Sequence, residues 1–248
     1  MIVNAIILFL SAAIPGAVLL RTGLMFGQRM QLFLVFAGAY LFSVTIIHLI
    51  PDLFLSNENP FNIGLYVLIG FFLQKVIENF TSGVEHGHVH AHAEHSVVYL
   101  LVALCLHSFL EGSIMTDSIH SNHSPELAYE HGSSPKILLG IVMHKIPAAV
   151  ALMALLLNRF KLKFQAYSAL LIFALASPLG LFVSEFMSHG NLLPEKYMII
   201  FFAIVAGSFL QISTTIFFET DPNHKLNWLR FGVSVFGALC AVLAQLVI

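Results

Sequence analysis

His107-Ser108-Phe109-Leu110-Glu111-Gly112 lies inside an apolar run covering 96–115, and His144-Lys145-Ile146-Pro147 lies inside another covering 135–157. Ionisable side chains are costly in such surroundings, so an imidazole or carboxylate kept there points to function first. His107 and Glu111 are four residues apart, which on a helix sets them one turn above each other on the same face. An imidazole and a carboxylate sharing a face suit a transition metal, Zn²⁺ first. The competing explanation is polar glue between helices, which is common in membrane bundles.

Composition agrees with a membrane setting. Only 10% of the 248 residues are Asp, Glu, Lys or Arg and 58% are hydrophobic, whereas an ordinary soluble domain is about 25% charged. A formal net charge of −2 implies neither a nucleic acid nor a bulk acidic partner. Cys105 and Cys240 both fall in apolar runs, so buried thiols are expected and a disulfide framework is not. The first apolar run has no basic stretch ahead of it and no small-residue cleavage site, and it reads as a retained helix.

Runs long enough to span a bilayer, about twenty residues each, fall at 3–20, 32–53, 62–80, 96–115, 135–157, 166–187, 196–218 and 226–248. Turn chemistry separates them at Asn57-Glu58-Asn59-Pro60, Ser133-Ser134-Pro135, Gly190-Asn191 and Asp221-Pro222-Asn223. The expected fold is an all-α polytopic membrane protein of eight transmembrane helices, a single transmembrane domain over 1–248. With the N-terminus outside, Arg21, Arg29, Arg159, Lys161, Lys163, Lys225 and Arg230 flank the cytoplasmic face, and the outer face keeps only Lys136 and Lys196. That bias puts both termini on the extracytoplasmic side. Lys75 sits near the inner end of the third span and can snorkel. Lys145 is the cation this layout leaves deep in the membrane. The two longest loops both bear histidines, an internal one over 81–95 and an external one over 116–134.

Depth is a separate check. His107 lies about eight residues from the outer end of the fourth run and His144 about nine into the fifth, ~12–14 Å at ~1.5 Å per residue. That is close to the middle of a ~30 Å hydrocarbon core. The two runs are antiparallel neighbours, so their ionisable residues can meet at one level. Pro147, one turn after His144, leaves the Met143 carbonyl without its usual intrahelical donor. A ligand or simple packing can satisfy such a group. Gly112 permits close helix approach.

Together with His48-Leu49-Ile50-Pro51-Asp52 and Ser177-Pro178-Leu179-Gly180, these stretches resemble the Zrt/Irt-like protein (ZIP) family of divalent-metal transporters. Motif order, eight spans, external termini and a histidine-rich third loop match along essentially the whole chain. The resemblance implies a 3+2+3 helix arrangement and metal ligands from the fourth and fifth spans, here His107, Glu111 and His144. It implies a divalent metal as cargo, no organic cofactor, and a multi-pass protein of the cell (inner) membrane. Dimerisation is common among such transporters, but no face of this sequence demands a homodimer.

Two positions depart from the fullest family pattern. Ala148 stands where many members have a glutamate, and Lys145 stands where two-metal members have a carboxylate. An ammonium near Glu111 occupies the volume and charge of a second cation, so one metal at a time is expected, with water or Ser108 completing its shell. Imidazole and carboxylate favour Zn²⁺, and Fe²⁺, Mn²⁺ and Cd²⁺ fit the same donor types.

Along the path, His48 and Asp52 are a candidate relay at the outer end of the second span, and Glu219 a candidate lining residue at the inner exit. His86, His88, His90, His92 and His95 form a weak loop-binding tract. The alternative from another class is an intramembrane zinc-dependent hydrolase, in which an open metal position activates water. No HExxH occurs and no spare Asp or Ser pairs with the site as a general base, and no phosphate-binding loop suggests ATP drive.

Overall fold

The computed structural model describes residues 1–22, 28–56, 58–81, 97–115, 135–160, 162–189, 194–219 and 227–247. Those residues are helical almost throughout, and no strand occurs among them. Helix α1 spans Ile2–Thr22 and α2 spans Gln28–Val44; α2 runs on through a π-helical turn, Thr45–Leu49, into the short α3, Ile50–Phe54. These three pieces form one rod. The others are α4 (Pro60–Thr81), α5 (Val97–Ser113), α6 (Pro135–Arg159), α7 (Lys163–His189), α8 (Glu195–Glu219) and α9 (Trp228–Val247).

The helix starts follow local chemistry. Pro60 and Pro135 open α4 and α6, positions where the missing N–H costs nothing. Asn59 accepts the Phe61 N–H at 2.9 Å, and Asn227 accepts those of Leu229 and Arg230 at 3.1 and 3.2 Å. Side-chain caps of this kind satisfy donors that the first turn leaves over. Inside a bilayer the remaining backbone groups must pair within their own helix.

Among the described residues, seven helices are long and apolar enough to cross a membrane. The eighth rod, α5, has 17 residues and falls just under that length. Large apolar side chains point outward along the bundle, among them Phe61, Phe72, Phe164, Phe186 and Phe236. An apolar exterior of this extent marks a lipid-facing surface, and the chain is a multi-pass integral membrane protein.

In space the rods pack as two sets that do not follow chain order. Helices α5 and α6 touch only lightly, whereas α5 packs along α7 and α6 along α1, with α1 also against α7. The second set is α4 along α8 and α2 along both α8 and α9. Close backbone approach holds α5 to α7: a Cβ on Gly112 would stand 1.9 Å from the Ser177 carbonyl oxygen, and one on Gly180 would stand 2.0 Å from that of Phe109. Gly70 and Gly207 join α4 to α8 in the same way.

The core is asymmetric from end to end. Near the chain termini one cluster unites both sets of helices, with Leu8, Ile114, Ile141 and Leu181 packed among Tyr40, Leu53, Phe202 and Phe209. At the other end, among the described residues, the fully buried clusters are separate, with Met30 of α2 packed against the edge of the larger one. There the buried members of one cluster all come from α1, α5, α6 and α7, and a small second cluster joins Leu34 to Ile212 and Ile216.

Candidate metal centre

His107 and Glu111 stack on one face of α5, with His107 Nε2 3.1 Å from Glu111 Oε1. From α6, His144 Nε2 approaches the same oxygen at 3.9 Å. The two imidazoles meet edge to face, their centroids 5.9 Å apart at 83°. One donor atom from each of the three residues lies within 4.8 Å of the others. Donors held ~2 Å from a single ion are separated by roughly 3–4 Å, so only a small contraction separates this arrangement from a coordination shell. Among the described residues this is the only group of three or more His, Cys, Asp or Glu side chains so disposed. All three are buried, none more than 3% exposed.

Lys145 takes the other side of the carboxylate. Its ammonium donates to Glu111 Oε2 at 2.8 Å and to Ser108 Oγ at 2.5 Å, and a third, very short bond goes to Ser177 Oγ. Phe173 lies beneath it, the ring centroid 5.2 Å from Nζ, within cation–π range. Three N–H donors thus meet three oxygens, which is what a charged side chain 1% exposed requires in an apolar surround. Glu111 is consequently divided: Oε1 faces two imidazoles and Oε2 faces an ammonium.

Helix packing makes this possible. The α5–α7 approach at Gly112 brings Ser177 against Ser108, whose backbone carbonyl accepts the Ser177 hydroxyl at 2.7 Å while the two hydroxyl oxygens stand 2.9 Å apart. α6 continues as helix through Pro147, so His144 and Lys145 leave it on adjacent bearings, one toward each carboxylate oxygen. Ser108, expected as an accessory metal donor, touches the ammonium and Ser177.

Of the other expected residues, His48 and Asp52 are described and form a pair of their own. His48 is buried on the π-helical turn, its Nδ1 3.3 Å from Asp52 Oδ2, with Asp52 one-fifth exposed. Single π-turns recur at functional sites because they redirect side chains. They do not join the three-residue group. Glu219 ends α8, but its side chain lies outside the described residues, as do His86, His88, His90, His92, His95 and the 116–134 loop.

One polar seam escaped the sequence reading. Glu78 on α4 is buried, 2.9 Å from Lys75 Nζ, and accepts the Gln211 side-chain N–H of α8 at 2.6 Å. The three-residue spacing of Lys75 and Glu78 was the available signal; Gln211 had none, because its partner is on another helix.

The sequence model of a family described as ZIP Zinc transporter matches residues 85–244, a stretch that includes every residue of the centre. No individual curated protein matches the chain.

Proposed function

The chain belongs to the ZIP zinc transporter family, and on that premise we propose that it carries Zn²⁺ into the cytoplasm, one ion at a time, bound by His107, Glu111 and His144. The observation that carries this reading is the buried trio with its donor atoms within 4.8 Å of one another. Three donors leave at least one position open for water, which suits a site that must also release its ion. Oε1 is the carboxylate oxygen available to the metal, since Oε2 is engaged by Lys145. The tethered ammonium stands where a second cation would need to sit, hence the single ion. Donor type admits Fe²⁺, Mn²⁺ and Cd²⁺ as competing cargo.

In this reading α5 crosses the bilayer with the seven longer rods, both termini are extracytoplasmic, and the membrane is the cell (inner) membrane. The united core near the termini would then lie on the outer side of the molecule, and the less connected end on the inner side. Rocking or sliding of one helix set against the other would alternate access to the centre. His48 and Asp52 serve as a relay from the outer side, and Glu219 lines the inner exit. Family membership favours a carrier over the zinc-dependent hydrolase, and the ion pair at Glu111 further limits that carboxylate as a general base. The test is uptake of radioactive Zn²⁺ into liposomes containing only the purified protein. Uptake by wild type that disappears in His107→Ala supports the reading; lipid hydrolysis without uptake overturns it.

A further inference from the structure

We infer that Lys145 is a tethered counter-cation that lets the empty carrier return across the membrane without a co-transported ion. The inference rests on the transport reading above and adds the form of energy coupling. Its ground is the pairing of charges at the centre. Glu111 and Lys145 are 2% and 1% exposed, their charged atoms 2.8 Å apart. The remaining donors of the ammonium are taken by Ser108 and Ser177. With neutral imidazoles, the form metal ligands require, the pair brings the formal charge of the metal-free centre to zero.

A carrier that has released its ion must move its site back through a low-dielectric interior. An uncompensated carboxylate there is strongly unfavourable, and carriers with exposed anionic sites meet it by picking up a cation for the return. Here the compensating charge is covalently attached and fully hydrogen-bonded. It also stays in place when metal arrives, because the ion approaches Oε1 and the ammonium holds Oε2. The net charge moved in a cycle is then that of the metal alone. The cycle is uniport.

Ser177 is a positioning residue in this scheme. It is fully buried on α7 and touches the ammonium and Ser108, not the group that would hold the metal. Losing its hydroxyl should loosen the hold on Lys145 without removing a metal donor.

The experiment compares two modes in the same proteoliposomes: net Zn²⁺ uptake, which requires an empty return, and exchange of external labelled Zn²⁺ for internal unlabelled Zn²⁺, which does not. Wild type should show both, with net uptake, at a clamped membrane potential, unaltered by removal of Na⁺ and K⁺ gradients or by collapse of the proton gradient. Lys145→Met should keep exchange within about threefold while net uptake falls more than tenfold; Lys145→Gln, which keeps a hydrogen-bond donor for the serines, serves the same comparison if the first variant does not fold. Ser177→Ala should fall between. Equal net uptake in wild type and the Lys145 variants overturns the inference and leaves the transport reading intact. So does wild-type uptake that needs a co-ion gradient, or loss of both modes in a folded variant. Absence of both modes in wild type overturns the two together.

Discussion

At the level of single residues, the structure separates two variants that sequence reasoning treats alike. His107→Ala removes one donor from the buried trio and leaves every contact of Lys145 in place. Zn²⁺ affinity by titration calorimetry should fall at least ~100-fold, beyond the range reached by outer-shell changes, with a melting temperature close to wild type. Glu111→Ala also strands a buried ammonium. Breaking such a pair from one side costs roughly 3–5 kcal/mol, so this variant should lose both binding and thermal stability. A normal melting temperature in Glu111→Ala would mean that the ammonium is hydrated after all. Adding carboxylates asks the converse question. Lys145→Asp with Ala148→Glu removes the ammonium and supplies two anionic donors next to His144, and metal analysis of the purified double variant should find two ions against one in wild type. The spacing of His107 and Glu111 and the isolation of Lys145 in an apolar run were legible in the sequence because each lies within one helix. Ser177 as a holder of Lys145 was not, since it depends on how closely α5 and α7 approach.

Elements carry the next level of specification. The turn at Asn59-Pro60 was readable, because caps and proline act on their immediate neighbours, whereas the cap at Asn227 was not, the last apolar run reading as one that starts at 226. The π-helical turn under His48 was not; an extra residue in a helical turn changes no composition and little periodicity. Glycines decide the α5–α7 seam. Gly112→Ala would press a methyl to 1.9 Å from a backbone oxygen, which cannot rotate away, and overpacking of this kind typically costs 1–3 kcal/mol or more. The melting temperature and Zn²⁺ uptake should drop together, because displacing α7 also draws Ser177 from Lys145. Gly64→Ala and Gly232→Ala, where a Cβ meets nothing within 4 Å, are the matched controls and should leave both readouts unchanged. A fall in stability with full uptake would show that the seam supports the fold but not the centre.

On the scale of the whole molecule, the two helix sets share one core near the termini, while among the described residues their fully buried clusters are separate at the other end. Hydropathy could supply the number of apolar runs but not this division, because every helix is apolar and the partition depends on which faces meet. If the sets move against each other, fastening them at the united end should stop transport without abolishing metal binding. Leu41 of α2 and Gly140 of α6 are suited to the purpose: a Cβ on Gly140 would lie 3.2 Å from Leu41 Cδ1, and the two belong to opposite sets. In a background with Cys105 and Cys240 replaced by serine, Leu41→Cys with Gly140→Cys can be joined by a short, reducible cross-linker. The joined protein should bind Zn²⁺ normally yet show less than a tenth of the uptake, and reduction should restore it. Gly16→Cys with Leu170→Cys is the control, for Gly16 abuts Leu170 across α1 and α7 within one set; a bridge there should leave uptake unchanged. Equal inhibition by both bridges would mean that the first set itself deforms during transport, and no inhibition by the α2–α6 bridge would mean that the united end does not open.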